Sequence, residues 1–274
     1  MPWRKEVPRV AIVRLAGVIA SAGRLGSGLS IASISQTLEK AFAMKPAAVA
    51  LDINSPGGSA AQSHLIFKRI RTLADEKKIP VFAFVEDVAA SGGYMIACAA
   101  DEIYADQNSI LGSIGVISAG FGFTELLQKV GIERRVHAAG EYKSSLDPFR
   151  PEDAGDVERL TAIQGDVHKQ FIALVRDRRG PKLKAMAELF TGEFWAGERA
   201  VELGLADGIG DMKSVLEARY GAKVKLVPIG AERGFLRRQL GLRMMTSFDQ
   251  VFPNLAEQGL SQLEARSLWS RFGL

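Results

Sequence analysis

The stretch that decides the fold is residues 81–100, VFAFVEDVAASGGYMIACAA. Its first residues, Val81–Val85, form an apolar run typical of a strand that is buried on both faces. Ser91 follows among small residues, two glycines come next, and the apolar run from Tyr94 to Ala100 predicts a helix. Because the first N–H groups of a helix lack intrahelical partners, a serine at this point is either the helix cap or a nucleophile. The pattern alone favours the cap.

Strand and helix patterns alternate along most of the chain. Apolar or β-branched runs predict strands at 9–15, 47–53, 102–105, 115–118, 133–137 and 224–228. Apolar spacing and terminal signals predict helices at 31–43, 59–79 and 151–178, with shorter ones around 126–130, 183–190 and just before 203–205. This alternation predicts an α/β fold with a mainly parallel sheet and flanking helices.

Two loops are expected at the same edge of this sheet. The predicted strand at 47–53 runs directly into NSPGGS, residues 54–59. Because the carboxyl ends of parallel strands meet at one edge, this loop and Ser91 should lie close together. The N–H of Gly92, with that of Gly57 or Gly58, could then hold an oxyanion. Taken alone, the glycine pair is better explained by a tight turn into the next helix.

The general base is harder to find from the residues. The three histidines are scattered, and we expect each to be structural or solvated, so a serine–histidine–aspartate triad is not supported. Lysine is the remaining option, and Lys143 lies in the polar loop 140–151. A lysine base must be neutral near pH 7 and therefore desolvated. Spacing alone favours a surface charge at this position.

Composition excludes several classes of protein. The chain has 274 residues, of which 47% are apolar and 24% charged, as expected for a soluble globular protein with a sizeable core. A single cysteine, Cys98, and the lack of a Cys/His cluster argue against a disulfide framework or a zinc site. The net charge of +4 falls in residues 222–274, so the main domain is neutral and no nucleic-acid partner is expected.

The chain shows no pattern for crossing a membrane. Arg14 interrupts the N-terminal apolar run and Pro8 precedes it, which favours a first strand over an export signal. No window of about 20 residues is free of charge. We therefore expect a cytoplasmic protein, or one that is peripheral at a membrane.

Four motifs in order carry a family resemblance over about residues 8–220. SPGGS after an apolar strand is similar to the ClpP/crotonase superfamily. Further motifs narrow this resemblance to one family; they are AASGGYMIACAADEIYAD, LGSIGVIS, GEYKSSLDPF and FWAGERAVELGLADGIG. Together they resemble the signal peptide peptidase A family, also called protease IV, including its short single-domain and SohB-type members. The resemblance implies a ClpP/crotonase-like fold of repeated β-β-α and β-α units.

The resemblance also implies a function. Ser91 matches the nucleophile of a serine–lysine dyad and Lys143 its base, with Gly92 and Gly57 or Gly58 as oxyanion donors. Ser144 or Ser145 would orient the lysine. The family cleaves hydrophobic peptides such as signal-peptide remnants and needs no metal or cofactor. Its members form ring- or dome-shaped homo-oligomers, and in short ones the serine and lysine can come from neighbouring subunits.

Residues 221–274 are expected to form a basic amphipathic extension. Arginines alternate with Phe235, Leu236, Leu240, Leu242, Met244, Met245 and Phe248. The extension would pack on the core or a neighbouring subunit, or lie on an anionic membrane. Many relatives have an N-terminal membrane anchor and this chain shows none, which leaves the signal-peptide role open. Two other functions remain as alternatives, a crotonase-type acyl-CoA enzyme and a non-catalytic ring scaffold.

Overall fold

The computed structural model describes residues 7–21, 28–230, 263 and 266–274. Its strands are β1 (Arg9–Ala16), β2 (Ala48–Ser55), β3 (Val81–Ala90), β4 (Glu102–Ala105), β5 (Ile110–Gly112), β6 (Phe194–Ala196), β7 (Gly208–Ile209) and β8 (Lys225–Pro228). Its α-helices are α1 (Ile31–Ala43), α2 (Ala60–Lys77), α3 (Gly92–Ala97), α4 (Thr124–Lys129), α5 (Ala154–Arg179), α6 (Gly197–Glu202) and α7 (Met212–Tyr220). Two 3₁₀ turns, Gly180–Lys182 and Ala187–Phe190, follow α5.

The strands form one sheet in the order β6-β5-β3-β2-β1-β8, and β4 pairs with both β3 and β7. All of the pairs are parallel except β5 with β6. In the centre of the sheet Leu51 lies opposite Val13 on one side and Ala83 on the other. The mainly parallel α/β fold predicted from the sequence is therefore confirmed.

The core lies on both faces of the central strands. On one face, buried residues such as Leu51 and Ile53 pack with Leu38 of α1 and Ile66 of α2. On the other face, Phe82 and its neighbours pack against α7. Because β2 and β3 are buried on both faces, they need continuous apolar runs, which is why the sequence predicts them so clearly.

Two predicted strands are wrong. Residues 115–118 and 133–137 have no strand structure, and all of them except Gly115 belong to a largely exposed segment, residues 116–153. Their β-branched residues fit an extended chain, but no strand of the described chain lies beside them to supply hydrogen bonds. The predicted helix at 183–190 is also wrong, because a 3₁₀ turn covers only Ala187–Phe190.

The sheet continues into the predicted C-terminal extension. β8 pairs in parallel with β1, so residues 225–228 belong to the main sheet. At the chain end, Phe272 packs on Val88 and Ala90 of β3. The basic apolar residues 235–248, for which membrane or subunit contact was expected, lie outside the described residues. Within the described part of the chain, none of the helices is long and apolar enough to span a membrane.

Candidate active site

Ser91 lies in a strained turn between β3 and α3. Its φ of 51° and ψ of −119° are unusual for a residue with a side chain. Its hydroxyl makes no capping hydrogen bond to α3, so the cap favoured by the local pattern does not form. Strain of this kind persists only when the surrounding structure enforces it, and it is concentrated at functional sites. A sharp strand-to-helix turn is also the geometry that presents a nucleophilic serine in hydrolases.

Backbone hydrogen bonds hold this turn on both sides. The Ser91 N–H donates to the Gly112 carbonyl of β5 at 2.8 Å, and the Ser91 carbonyl accepts from Met95 N–H at 3.0 Å. Ser91 is partly exposed, whereas the residues on either side of it are buried. The turn therefore fixes the backbone and leaves the hydroxyl accessible.

The predicted glycine loop lies directly against this turn. A Cβ added at Gly57 would lie 2.8 Å from the nitrogen of Gly92 and 2.9 Å from the Cβ of Ser91. The structure thus brings together the two loops that the sequence placed at one sheet edge. Gly57 has a φ of +99°, a region that favours glycine.

The N–H groups near Ser91 are not equivalent. Gly57 N–H donates to the Ser55 hydroxyl at 3.2 Å, which occupies it. The N–H groups of Gly58 and Gly92 have no hydrogen-bond partner among the described residues. Unpaired donors at such a turn are available to an oxyanion. Of the three glycines, Gly58 and Gly92 are therefore the two whose N–H groups remain available.

Residues 17–19 brace the glycine loop, a contact that sequence reasoning missed. Ile19 N–H donates to the Gly57 carbonyl at 2.8 Å, and the Ile19 carbonyl accepts from Ser59 N–H at 2.7 Å. A Cβ at Gly58 would lie 2.1 Å from the Ile19 carbonyl oxygen, so only glycine fits there. The loop is therefore held by the segment that follows β1.

Lys143 lies in the exposed 116–153 segment. Its backbone N–H donates to the Gly140 carbonyl at 3.2 Å. Within the described ranges, its ammonium group makes no hydrogen bond or ion pair and no contact with Ser91. The Ser145 hydroxyl donates to the Tyr142 carbonyl at 2.9 Å, and Ser144 Oγ accepts from Arg150. A single copy of the chain thus does not join the predicted lysine or its predicted serine partners to Ser91.

The 116–153 segment exposes an unusual amount of apolar surface. Phe121 is 77% exposed and Ile117 is 66% exposed. Further exposed apolar side chains in the segment are Val116, Phe123, Leu126, Val130, Ile132, Val136, Tyr142 and Leu146. Together with the start of α5, the segment encloses a groove of about 1210 Å³. Exposed apolar side chains in this number are unusual in a monomer and fit a surface that makes contacts with another molecule.

A second strained serine stands beside the site. Ser113 has a φ of 52°, is 5% exposed, and follows Gly112, which accepts the Ser91 N–H. Its backbone N–H donates to the Glu193 carbonyl at 2.6 Å, while its hydroxyl has no partner within the part of the chain described. Sequence reasoning missed this residue, although its place in the LGSIG motif after a short strand was a usable signal.

Other groups that could react are placed in structural roles. His168 Nε2 lies 3.0 Å from the Ile114 carbonyl oxygen, and His64 stacks on Phe67. Burial raises the pKa of the Cys98 thiol to about 12, so it is not a nucleophile near pH 7. Across the described residues, no cluster of three or more His, Cys, Asp or Glu side chains could hold a metal ion.

Arginines fix the far end of α3. Arg178 donates to the carbonyls of Cys98 and Ala100 at 2.9 and 3.0 Å, and Arg71 donates to that of Ala99 at 3.0 Å. These bonds satisfy carbonyl groups that a helix end leaves unpaired. Since Ser91 lies at the other end of α3, they also hold the orientation of its turn.

A buried ion pair supports the same region. Arg179 is 2% exposed, and its guanidinium lies 2.7 Å from the Asp207 carboxylate. Burial would raise the pKa of Asp207, but hydrogen bonds from Arg179 and Lys182 outweigh this effect and lower it. Nearby, the Tyr94 hydroxyl donates to the Leu205 carbonyl at 2.8 Å. The AVELGLADGIG motif therefore anchors α3 and does not itself contribute to the reactive site.

Comparison with known proteins places the chain in a family. A sequence profile described as Peptidase family S49 matches residues 74–225. The chain is 53% identical over 278 residues to a Brucella abortus protein named Na(+)/H(+) antiporter NhaA, a match that covers 99% of this chain and 38% of that protein. It is 32% identical over 228 residues to the chloroplastic serine protease SPPA of Arabidopsis thaliana, covering 80% of this chain and 33% of that one.

A solved structure gives the same fold. A mutant of a membrane-bound stomatin-specific protease matches with a TM-score of 0.50 and 18% identity, covering 82% of this chain and 97% of that one. The chain spans only 38% and 33% of the lengths of the Brucella and Arabidopsis proteins, and the antiporter name belongs to the longer protein. Because the matched profile covers more than half of the residues, the chain belongs to peptidase family S49, where it is similar to the SppA and SohB proteases.

Proposed function

We propose that this chain is a serine endopeptidase that cleaves apolar peptides through an acyl-enzyme, with Ser91 as nucleophile and Lys143 as general base. Family membership supports a serine peptidase. The observation that carries the assignment to Ser91 is its strained turn, which leaves the hydroxyl uncapped beside two unpaired glycine N–H groups.

In the proposed reaction Ser91 Oγ attacks the peptide carbonyl carbon. The neutral amine of Lys143 takes the hydroxyl proton and then delivers it to the leaving amine. The N–H groups of Gly58 and Gly92 stabilise the oxyanion, and Gly57 provides the close packing that keeps the loop against the turn. Water then hydrolyses the ester in the reverse sequence of proton transfers, which restores Ser91.

We further propose that Lys143 acts on the Ser91 of a neighbouring copy in a homo-oligomer. The exposed apolar surface of the 116–153 segment supports this arrangement, since such surface is costly in water and fits an interface between subunits. A general base must be uncharged, and an amine removed from water in such an interface is disfavoured in its charged form. Ser144 or Ser145 would orient the amine there.

An active-site probe tests this function most directly. We expect a serine-reactive acylating probe to label the protein at Ser91, as mapped by mass spectrometry. Ser91→Ala and Lys143→Ala should each lower cleavage of an apolar peptide by about 10³-fold or more while the circular dichroism spectrum stays unchanged. Ser35→Ala, which changes a partly exposed serine on α1, is the matched control. Full activity in either site variant would overturn the dyad.

A further inference from the structure

Ser55, the last residue of β2, has a buried side chain beside the candidate site. It is 0% exposed, yet its hydroxyl has two partners. Ser55 Oγ donates to the Gly17 carbonyl at 2.7 Å and accepts from the Gly57 N–H at 3.2 Å. Because a hydroxyl carries a single proton, donation to Gly17 leaves lone pairs facing Gly57. The Gly57 N–H therefore has a fixed acceptor.

The peptide between Gly57 and Gly58 is held from its other side. The Gly57 carbonyl accepts from Ile19 N–H at 2.8 Å. Since this peptide is planar and trans, its N–H, which belongs to Gly58, points away from Ile19. That N–H has no hydrogen-bond partner among the described residues. The orientation of one peptide plane thus determines whether Gly58 is free to bind an oxyanion.

The two glycines do not fix this plane by themselves. Their φ values are +99° for Gly57 and +139° for Gly58, and neither residue has a Cβ that would restrict rotation of the plane between them. If the plane turned over, the Gly57 carbonyl would leave Ile19, and the Gly58 N–H would point towards Ile19. The site would then lose this donor. Contacts from outside the glycine pair must therefore hold the plane.

Ser55 connects the parts of the chain that supply these contacts. Its hydroxyl holds Gly17, two residues before Ile19, and it also holds the N–H of Gly57. Together with the bond from Ile19 to the Gly57 carbonyl, it closes a ring of contacts between β2, the segment after β1 and the glycine loop. Without the hydroxyl the buried Gly57 N–H loses its acceptor, which is unfavourable. Rearrangement of the loop is the way for this group to find another partner.

Ser55 also packs on the helix that follows the candidate nucleophile. A Cβ added at Gly93 would lie 2.4 Å from the Ser55 carbonyl oxygen and 3.2 Å from the Ser55 Cβ. Gly93 belongs to the first turn of α3, two residues after Ser91. This close contact leaves Ser55 little room to move, so its hydroxyl keeps one position relative to the turn.

We propose that Ser55 is a positioning residue, whose hydroxyl keeps the peptide between Gly57 and Gly58 in the orientation that presents the Gly58 N–H to the oxyanion. The inference rests on the proposed peptidase function of Ser91 and adds a residue to its machinery. Ser55 itself touches neither the substrate nor the reacting atoms. Its removal weakens stabilisation of the transition state more than binding of the substrate, because the oxyanion forms only as the reaction proceeds.

The first test is steady-state kinetics of Ser55→Ala and Ser55→Cys in the full chain, with an apolar peptide as substrate. Ser55→Ala removes the hydroxyl, whereas Ser55→Cys keeps a side chain of similar size with a weaker hydrogen-bonding group. We expect kcat to fall by about 10- to 100-fold in Ser55→Ala and by a smaller factor in Ser55→Cys. KM should stay within about twofold of wild type in both variants.

Ser30→Ala is the matched control for these variants. Ser30 is 1% exposed, and its hydroxyl also accepts a backbone N–H, that of Ser33 in the first turn of α1. This variant should lower the thermal unfolding midpoint and leave kcat unchanged. A purely structural role for Ser55 would give the same pattern, so the loss of kcat separates positioning from stability.

Amide hydrogen exchange decides the inference without relying on catalysis. With isotope-labelled glycine, the exchange rate of the Gly57 N–H can be followed by NMR. We expect slow exchange in wild type and in Ser30→Ala, exchange at least about 10-fold faster in Ser55→Ala, and an intermediate rate in Ser55→Cys. If wild type hydrolyses no peptide, the proposed function fails, and the exchange rate of Gly57 still decides whether Ser55 holds the loop.

Four outcomes would overturn the positioning role. The first is unchanged kcat in a folded Ser55→Ala chain, and the second is a kinetic loss confined to KM. The third is exchange of the Gly57 N–H in Ser55→Ala at the wild-type rate. If only Ser55→Ala fails to fold, the same comparisons apply to Ser55→Cys. The fourth is loss of the fold in both variants, seen by circular dichroism, because Ser55 would then be required by the core.

Discussion

The backbone nitrogen of Ser91 lies 2.8 Å from the carbonyl oxygen of Gly112, which ties the reactive turn on β3 to the end of β5. Gly112 has a φ of +110°, and a Cβ there would lie 2.9 Å from the ring of Trp195. Position 112 therefore requires glycine for both conformation and space. The strained conformation of Ser91 is thus enforced by a neighbouring strand, in addition to the helix that follows it.

Gly57 should be essential for activity because of its packing against this turn. In Gly57→Ala the new methyl group would press on the Gly92 nitrogen, the Ala90 oxygen and the Ser91 Cβ, each less than 3.0 Å away. We expect kcat/KM for an apolar peptide to fall by about 100-fold or more, since displacing an oxyanion donor has an effect of that size. Steady-state kinetics with purified variants provides the measurement.

Gly221→Ala is the matched control for this prediction. Gly221 has a φ of +92°, nearly that of Gly57, but it follows α7, outside the candidate site, and nothing lies within 4 Å of its added Cβ. Both variants should lose about 1 kcal/mol of unfolding free energy from backbone strain, as measured in urea. Only Gly57→Ala should also lose most of its activity. Equal kinetic losses in the two variants would show that strain, and not contact with the turn, is responsible.

The parts of this site that the sequence predicts are those determined by local pattern. The apolar runs of β2 and β3 are unmistakable because both faces of these strands are buried. The Gly57 loop and Ser91 then meet because parallel strands end at a common edge. These inferences need only short stretches of sequence and one rule of sheet topology.

The parts of the structure that the sequence does not predict depend on contacts between residues far apart in the chain. β5, β6 and β7 have only two or three residues each, and they exist because of the strands beside them. The left-handed conformations of Ser91 and Ser113 are invisible in a sequence, since neither residue is a glycine. The apolar residues at 133–137 predict a strand because local pattern does not reveal that no neighbouring strand is present.

Mixing two inactive variants tests whether the dyad forms between subunits. The Ser91→Ala variant retains Lys143, and the Lys143→Ala variant retains Ser91. An oligomer that contains both variants therefore has some complete sites only if each site takes its serine and its lysine from two different copies. With random mixing at equal concentrations, about a quarter of the sites receive both residues in a head-to-tail ring. We expect about a quarter of the wild-type kcat after the two variants are unfolded, mixed and refolded together.

The control for this experiment is each variant refolded alone, which should stay inactive. If both residues of a site come from one copy, the mixture will be as inactive as its components. Size-exclusion chromatography with light scattering should show the same oligomer in every sample. A mixture that remains inactive despite forming that oligomer would contradict a shared dyad.

The Tyr94 hydroxyl should contribute to stability and not to chemistry. Tyr94 is fully buried, and its hydroxyl donates to the Leu205 carbonyl at 2.8 Å. Tyr94→Phe keeps the ring but leaves this carbonyl without its partner, which should cost about 1–2 kcal/mol of unfolding free energy. We expect kcat/KM to stay within about twofold of wild type, because the turn at Ser91 has its own hydrogen bonds. A large kinetic loss with unchanged stability would place Tyr94 in the reaction.

Asp207 should make the fold sensitive to acid. Its pKa in the folded protein is lowered, because hydrogen bonds from Arg179 and Lys182 and from the backbone of Ile103 outweigh the effect of burial. A carboxylate with a lowered pKa stabilises the fold above its unfolded pKa of about 3.9, and this stabilisation is lost as the pH falls through the folded value. Unfolding free energy should therefore drop below about pH 4.

The Asp207→Asn variant separates the contribution of the Asp207 charge to stability from the contributions of the other carboxylates. At pH 7 it should cost about 3 kcal/mol, since it leaves the 2%-exposed Arg179 without its partner. Because the difference between wild type and variant comes from the Asp207 charge, it should shrink as the pH falls below 4 in urea titrations. Glu202→Gln, which breaks the exposed pair with Arg199, should cost less than about 1 kcal/mol. The difference in unfolding free energy between wild type and Asp207→Asn could instead stay constant from pH 7 to pH 3. That result would show that the ionised carboxylate is not what stabilises this region.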